Sequence, residues 1–584
     1  MPIYGVMCRL LVIIAICIQA GLMPSFALGQ EKRMILDMVY DNPGEAPTQS
    51  AFCDPGRLHE WGYTGQVVAD QVEGISTFAQ FAPGIIADRS EEAQWAEEQT
   101  RKLQKRISAA HDAGEQCYGW MQAFVLPRKI IARFHDDICD SQGRIDLLRP
   151  KSQELFRAQL EEIFNRLPNL DGLVIRTGEV YLHDLPYHAA SGRLNEGKLQ
   201  GGTAIIHGAD SHIAILRILR EVVADKLDKV VIYRTWDFGN NFHVNPAYYL
   251  KVTDAIPPHK NLIFSVKHQA GDFHQLTPFN PTLMIGKHRQ IVEVQCQREA
   301  YGKGAHPYYI GQGVIEGWEE YAWMMKPGSA KGLQDIVSSP LFAGVWTWSR
   351  GGGWEGPYIK NELWCELNAY VVAHYVQHPE IPESTHFADF ARLIGVSDEQ
   401  LPKFRELCVL STKAVLRGQL TTLDAPIDVW WARDDNLAAP NLREFIRRGL
   451  SDKALAEKSA AVGMWNRIVE LANAIELRRP QDTQFMRVSC EYGRLKYRLF
   501  EQIWKIQLIV QAKDVDPTRV IDLRSLDSAI KSYDEAWAEW KDYQQSHPLC
   551  PTIYKNVAHF NAPGIGAAVN RYRSLIGVGS ATRP

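Results

Sequence analysis

The sequence lacks the marks of several function classes. Its net charge is −4 over 584 residues, from 64 basic and 68 acidic side chains. So even a balance offers no basic field to nucleic acid and no polybasic anchor to a membrane surface. Its ten cysteines contain no Cys-x-x-Cys pair, which argues against a zinc knuckle. Its 18 histidines include no His-x-His and no His-Glu-x-x-His, so no metal and no cofactor is expected. The segment 40–45 reads YDNPGE, not the glycine-rich turn that opens a dinucleotide-binding sheet. Fixed-period repeats and low-complexity tracts are absent too, which argues against a solenoid.

What is present begins at the N-terminus. One basic residue, Arg9, precedes an apolar run over 10–23, and small residues follow at Ser25, Ala27 and Gly29. This is the layout of a secretory signal peptide. The run falls short of the roughly 20 residues that a membrane span needs. We therefore expect 1–29 to be a signal, the mature chain to be secreted or periplasmic, and no stable membrane insertion after cleavage. Export permits disulfides, and Cys53 has two candidate partners in Cys117 and Cys139.

The composition, 46% hydrophobic and 23% charged, is that of a globular protein. The length exceeds what one core usually fills. Short apolar, β-rich runs recur at 34–39, 75–81, 116–125, 172–179, 229–236, 261–268, 290–297 and 342–348. Charged amphipathic patterns lie between most of them, at 94–114, 152–166 and 211–227. Alternating strands and helices predict βαβ units and a parallel sheet. Eight such strands predict a closed (β/α)8 TIM barrel over 30–379. From about residue 380 the strand-like runs vanish, and long amphipathic patterns take over at 387–393, 398–416, 441–476, 484–510 and 526–545. We expect an all-α domain over 380–584, which is also a candidate homodimer surface.

In a barrel of this kind, the C-terminal strand ends build the active site. Strand four ends in Arg176 and Glu179, and strand five in Arg234, Trp236 and Asp237. Strand six ends in Lys267, His268 and Asp272, and strand seven in Gln297, Arg298 and Glu299. Strand eight ends in Trp348, Arg350 and Trp354. A single charge after a strand is usually a solvated loop residue. Five successive ends rich in carboxylates, bases and aromatics converge on one mouth. Carboxylates at strands four, six and seven suit glycoside hydrolysis, which needs one acid and one base or nucleophile across the scissile bond. The tryptophans offer flat faces to a sugar ring. Arg176, Arg234 and Lys267 either neutralise those carboxylates or receive an anionic substrate. A network of the first kind would depress every carboxyl pKa, the reverse of what a general acid needs, so an anionic substrate is the better fit.

These segments resemble glycoside hydrolase family 67, the α-glucuronidases acting on xylan fragments. SVKHQAGDF, 265–273, is similar to the family's Lys…Gly-Pro-Ile-Asp-Phe strand end. EVQCQREAYG, 293–302, is similar to its Gln-Glu-Tyr strand end. YRTWDFG, IRTGEV and WCELNAYVVAHY carry the rest of the likeness. It runs from about residue 170 to the C-terminus and lacks the family's N-terminal domain. The resemblance implies Glu179 as general acid, Asp272 and Glu299 as the pair that activates water, and inversion at the anomeric carbon. It implies Arg176, Arg234 and Lys267 as the grip on a uronic carboxylate; Trp236, His268, Trp348 and Arg350, from the same strand ends, are expected to complete the binding site. The substrate would be an anionic oligosaccharide or polysaccharide. The chain departs from the family pattern at Gly178, Val180, Ala270-Gly271 and Ala300. Two alternatives stand beside this reading. One is a retaining glycosidase with Glu179 as acid/base and Glu299 as nucleophile; the other is a non-catalytic carbohydrate-binding barrel.

Overall fold

The computed structural model describes residues 33–40, 50–178, 180–182, 184–191, 199–200, 206–237, 241–296, 304–351, 359–433, 436–551 and 564–581. The expected signal, Glu179, Glu299 and Trp354 lie outside the described residues.

Eight parallel strands close into a barrel. They are β1 (Met34–Tyr40), β2 (Gly65–Gln71), β3 (Gln116–Gln122), β4 (Gly172–Arg176), β5 (Val230–Arg234), β6 (Leu262–Lys267), β7 (Arg289–Gln295) and β8 (Phe342–Gly351). Each pairs with its neighbours in sequence order, and β8 closes on β1 with Met34 opposite Gly344. The interior is packed by all eight strands, through Leu36, Val67, Trp120, Val174, Ile232, Ile263, Ile291 and Trp346.

Seven of the expected strands fall on these elements; the second does not. The run 75–81 is not a strand. Its Thr77 and Phe78 amides donate to the Glu162 carboxylate at 2.8 and 2.7 Å, and Phe78 has a φ of 57°. The strand is instead Gly65–Gln71, whose GQVVADQ carries only a short apolar centre. A two-residue apolar centre is a weak periodic signal, and the neighbouring apolar loop outcompetes it.

The helices that wrap the barrel include α1 (Glu91–Asp112), α2 (Pro150–Arg166), α3 (Ala209–Leu219) and α4 (Pro246–Thr253). Ser90 caps α1 by accepting from Ala93 N at 3.2 Å. After β8 comes α5 (Leu363–Gln377), buried around most of its surface. A helix apolar on all sides must be covered on all sides. One face of α5 packs on the barrel and the rest on a helical region, α6 (Glu383–Leu393), α7 (Leu401–Gln419), α8 (Ser451–Asn473), α9 (Pro480–Val515), α10 (Leu523–Ser546) and α11 (Ile565–Ala581). One continuous core joins β1, β7 and β8 to this region, and 34–584 packs as one compact unit. Among the described residues no two cysteines are joined by a disulfide, and of the eight from Cys53 to Cys550 all but Cys53 are buried.

Candidate active site

Side chains alternate along a strand. Counting up from the interior residues places Gln122, Arg176, Arg234, Ser265, Lys267, Glu293 and Trp348 on the inner face, at or near the strands' C-terminal ends. Arg234 lies over a floor of three rings, 5.2 Å from Trp120, 5.4 Å from Trp346 and 5.1 Å from Trp348. Arg176 stands 5.6 Å over Trp120. Trp348 is stacked on Trp346 at 5.4 Å, so it forms floor rather than an open platform.

Arg234 and Lys267 are matched within the protein. Arg234 donates to both oxygens of Glu293, at 2.8 and 2.7 Å, and both residues are buried. Ser265 Oγ adds a third donor to Glu293 at 2.7 Å. Burial alone would push the Glu293 carboxyl up; Arg234, Lys267 and Ser265 outweigh it and hold the group below the usual range. Lys267 Nζ bonds Asp272 Oδ1, so an expected substrate cation and an expected base meet each other. Lys267 also lies over Trp236 at 3.7 Å and Phe273 at 4.6 Å. Burial pushes its ammonium down, with Asp272 and Glu293 pulling against that and Arg234 adding to it.

Several groups fix these positions. His243 contacts the Trp236 ring at 5.2 Å, while its Nε2 lies 3.1 Å from the Gln269 carbonyl. The loop carrying Asp272 is closed as a hairpin, Ala270 N to Pro278 O at 2.8 Å and Asn280 N to His268 O at 3.1 Å. Inside it, Phe273 is held at a φ of 60°, and a Cβ on Gly271 would lie 2.5 Å from Thr277. His268 is buried at the head of this loop, its amide bonded to the Glu293 carbonyl at 3.0 Å. His274 meets the half-buried Trp430 of the helical region at 3.9 Å. Arg350 pairs with Glu362 at 3.2 Å on the rim.

The flanks of the undescribed acids are also constrained. A Cβ on Gly178 would lie 2.3 Å from the Trp236 carbonyl oxygen, so the residue before Glu179 must be glycine as the strands stand. Asn368 on α5 donates to the Cys296 and Tyr308 carbonyls at 2.6 and 2.9 Å. It thereby ties the end of β7 at Cys296 to the chain at Tyr308.

Glu293, Ser265 and Trp120 were not foreseen as site residues. The signal for Glu293 was there: a carboxylate between Val292 and Val294 in an apolar strand must find a buried partner. Glu73 was missed as well. It follows β2, accepts from Gln122 N at 3.2 Å, and burial pushes its carboxyl up to about 8.

No family model and no curated protein matches the chain. Among solved structures, it is similar to a GH138 enzyme targeting pectin rhamnogalacturonan II, at a TM-score of 0.55 and 12% identity, over 93% of this chain and 67% of that one. It also aligns with an O-GlcNAc hydrolase mutant of Thermobaculum terrenum, at a TM-score of 0.41 and 9% identity, over 94% of each chain. The first likeness establishes a shared fold, a closed parallel barrel continued by a helical region.

Proposed function

We propose that the chain is a glycoside hydrolase that releases an acidic, uronic-type sugar from a polysaccharide or oligosaccharide by an α-glucuronidase-like, inverting mechanism. The observation that carries the reading is the layer of Arg176, Arg234 and Lys267 with Glu293 and Asp272, all at one end of a closed barrel over a tryptophan floor. The fold it shares with a pectin-targeting enzyme supports a polysaccharide substrate.

In this mechanism Glu179 gives a proton to the leaving oxygen. Asp272 and Glu299 take the proton of the attacking water. Lys267 positions Asp272, and its ammonium favours the ionised carboxylate that a base needs. Arg176 receives the uronic carboxylate; it stands three residues before Glu179 in the chain. Arg234 acts in concert with Glu293, which fixes its guanidinium over the rings. The signal segment 1–29 would export the enzyme to such a substrate.

Glu179→Gln should abolish hydrolysis of acidic xylan or pectic fragments while the far-ultraviolet circular dichroism stays native. Substantial residual turnover would sink the acid assignment. Proton NMR of the first-formed product should show the inverted anomer; a retained one removes Asp272 from its role.

A further inference from the structure

The hairpin that carries Asp272, residues 268–280 just after β6, is held in an uncommon shape. Phe273 and Leu276 are not glycine, yet they sit at φ of 60° and 57°. Left-handed backbone at such residues persists only where the surroundings hold it, and it concentrates at functional sites. Part of the hold is internal. The Gln269 side-chain amide donates to the His274 and Thr277 carbonyls at 3.0 and 3.3 Å. Thr277 Oγ1 donates to the His274 carbonyl at 2.6 Å. Part comes from outside. Glu320 Oε1 accepts from Leu276 N at 3.4 Å, and the buried His274 ring meets the Trp430 indole at 3.9 Å, tilted by 58°.

Trp430 belongs to the segment between α7 and α8, in the helical region. That segment is itself pinned. The next residue, Trp431, is buried; its Nε1 donates to the Gln419 carbonyl at 3.0 Å, and its ring lies 4.8 Å from Phe500 of α9. Thr422 N donates to Glu457 of α8 at 3.0 Å. Asp428 Oδ1 accepts from Trp430 N at 2.9 Å. One tryptophan anchors the segment in the helical core, and its neighbour lies against the barrel hairpin. Two rings in contact are by themselves ordinary packing. Here the contact falls two residues from Asp272, on strained backbone, and Asp272 is bonded in turn to Lys267. A shift of His274 is therefore passed to a carboxylate whose placement in the mouth decides its use as a base.

We propose that Trp430 is a positioning residue: it braces His274 and, through the hairpin, sets Asp272 against Lys267, which makes the helical region part of the active site. The role in catalysis rests on the glycosidase reading; the brace does not. The test uses the full chain and two measurements. Amide exchange followed by mass spectrometry reads the brace without substrate. In Trp430→Ala, peptides covering 268–280 should exchange about tenfold faster, while those of α8 and α9 stay as they were. Kinetics on acidic xylan fragments and oligogalacturonates read the role. Trp430→Ala should lower kcat at least about tenfold per folded molecule with KM within about twofold, and Trp430→Phe should restore most of it. His274→Ala breaks the contact from its other side, and the double variant should lose no more than either single one.

Faster exchange beside an unsubstituted chain that turns over none of these sugars overturns the glycosidase reading and leaves the brace standing. Turnover by the unsubstituted chain with unchanged exchange in both single variants, or with unchanged kcat in both, overturns the positioning role and leaves the reading standing. A rise in KM alone would make Trp430 a substrate contact and overturns the brace. Losses that simply add in the double variant overturn it too.

Discussion

Two bidentate arginine–glutamate pairs sit in different surroundings, one buried on both sides and the other with its arginine a quarter exposed. In the mouth, Arg234 meets Glu293 at 2.8 and 2.7 Å. In the helical region, Arg405 meets Glu383 at 2.7 and 2.6 Å. Glu383 also takes the Tyr309 hydroxyl, and Arg405 lies 4.6 Å over Phe387. That network ends on rings and joins α6, α7 and Tyr309 into a staple. The mouth pair instead shares its layer with a second pair, Lys267 and Asp272. A buried ion pair is therefore no mark of a site by itself. What marks the site is an additional charge pair beside it, at the end of the barrel where strands stop.

The contrast breaks most sharply by mutation. Glu293→Gln leaves Arg234 buried without its counter-ion and should cost about 3–5 kcal/mol in urea unfolding; Glu383→Gln, whose Arg405 is 25% exposed, should cost less. Replacing both partners by apolar residues should restore most of that stability in either place. Activity should then separate them. Arg405→Met with Glu383→Leu should keep kcat/KM per folded molecule. Arg234→Met with Glu293→Leu should lose it at least about a hundredfold, as displaced positioning groups do. Equal activity in the two double variants would make the mouth pair a staple as well.

The two regions also differ in how burial meets pH. Burial pushes the Asp37 carboxyl up to about 7, although Thr347 and Ser349 donate to it. Between pH 3.8 and about 7, the unfolded chain has released this proton and the folded chain keeps it. Stability then falls as pH rises, by about 1.4 kcal/mol per unit for each such group. In the helical region, burial pushes the Lys458 ammonium down to about 7. Between about 7 and 10.5 the unfolded chain holds the proton that the folded chain has released, so stability rises with pH there. Asp37→Asn should flatten the acid slope and Lys458→Met the alkaline one, read as urea midpoints against pH. Unchanged slopes would place both groups at their ordinary values.

The barrel was legible because seven strands are apolar runs bounded by charge, and the helices have clear 3.6-residue patterns. The second strand was not, because its apolar centre is Val67-Val68 and a more apolar loop follows it. Among site residues, those beyond the strand ends could be read from charge alone. Their partners could not. Pairing Arg234 with Glu293 requires the register of β5, β6 and β7, in which Ser265 stands opposite Arg234 and Lys267 opposite Glu293. The glycine before Glu179 looked like a departure from family 67. The close approach of the Trp236 carbonyl gives it a steric reason that only the fold contains.

The smallest effect belongs to a third pair with nearly the same geometry. Arg467 donates to both oxygens of Glu406 at 2.8 and 3.1 Å, as Arg234 does to Glu293. Here the side chains are 48% and 46% exposed. Water solvates each partner when the other is removed, so no charge is stranded, and salt screens what attraction remains. Glu406→Gln should leave the urea midpoint unchanged within error at 0.15 M salt. The same substitution at Glu293 or Glu383 should move it outright. A clear shift at Glu406 would mean that geometry, and not loss of solvent, sets the strength of these pairs.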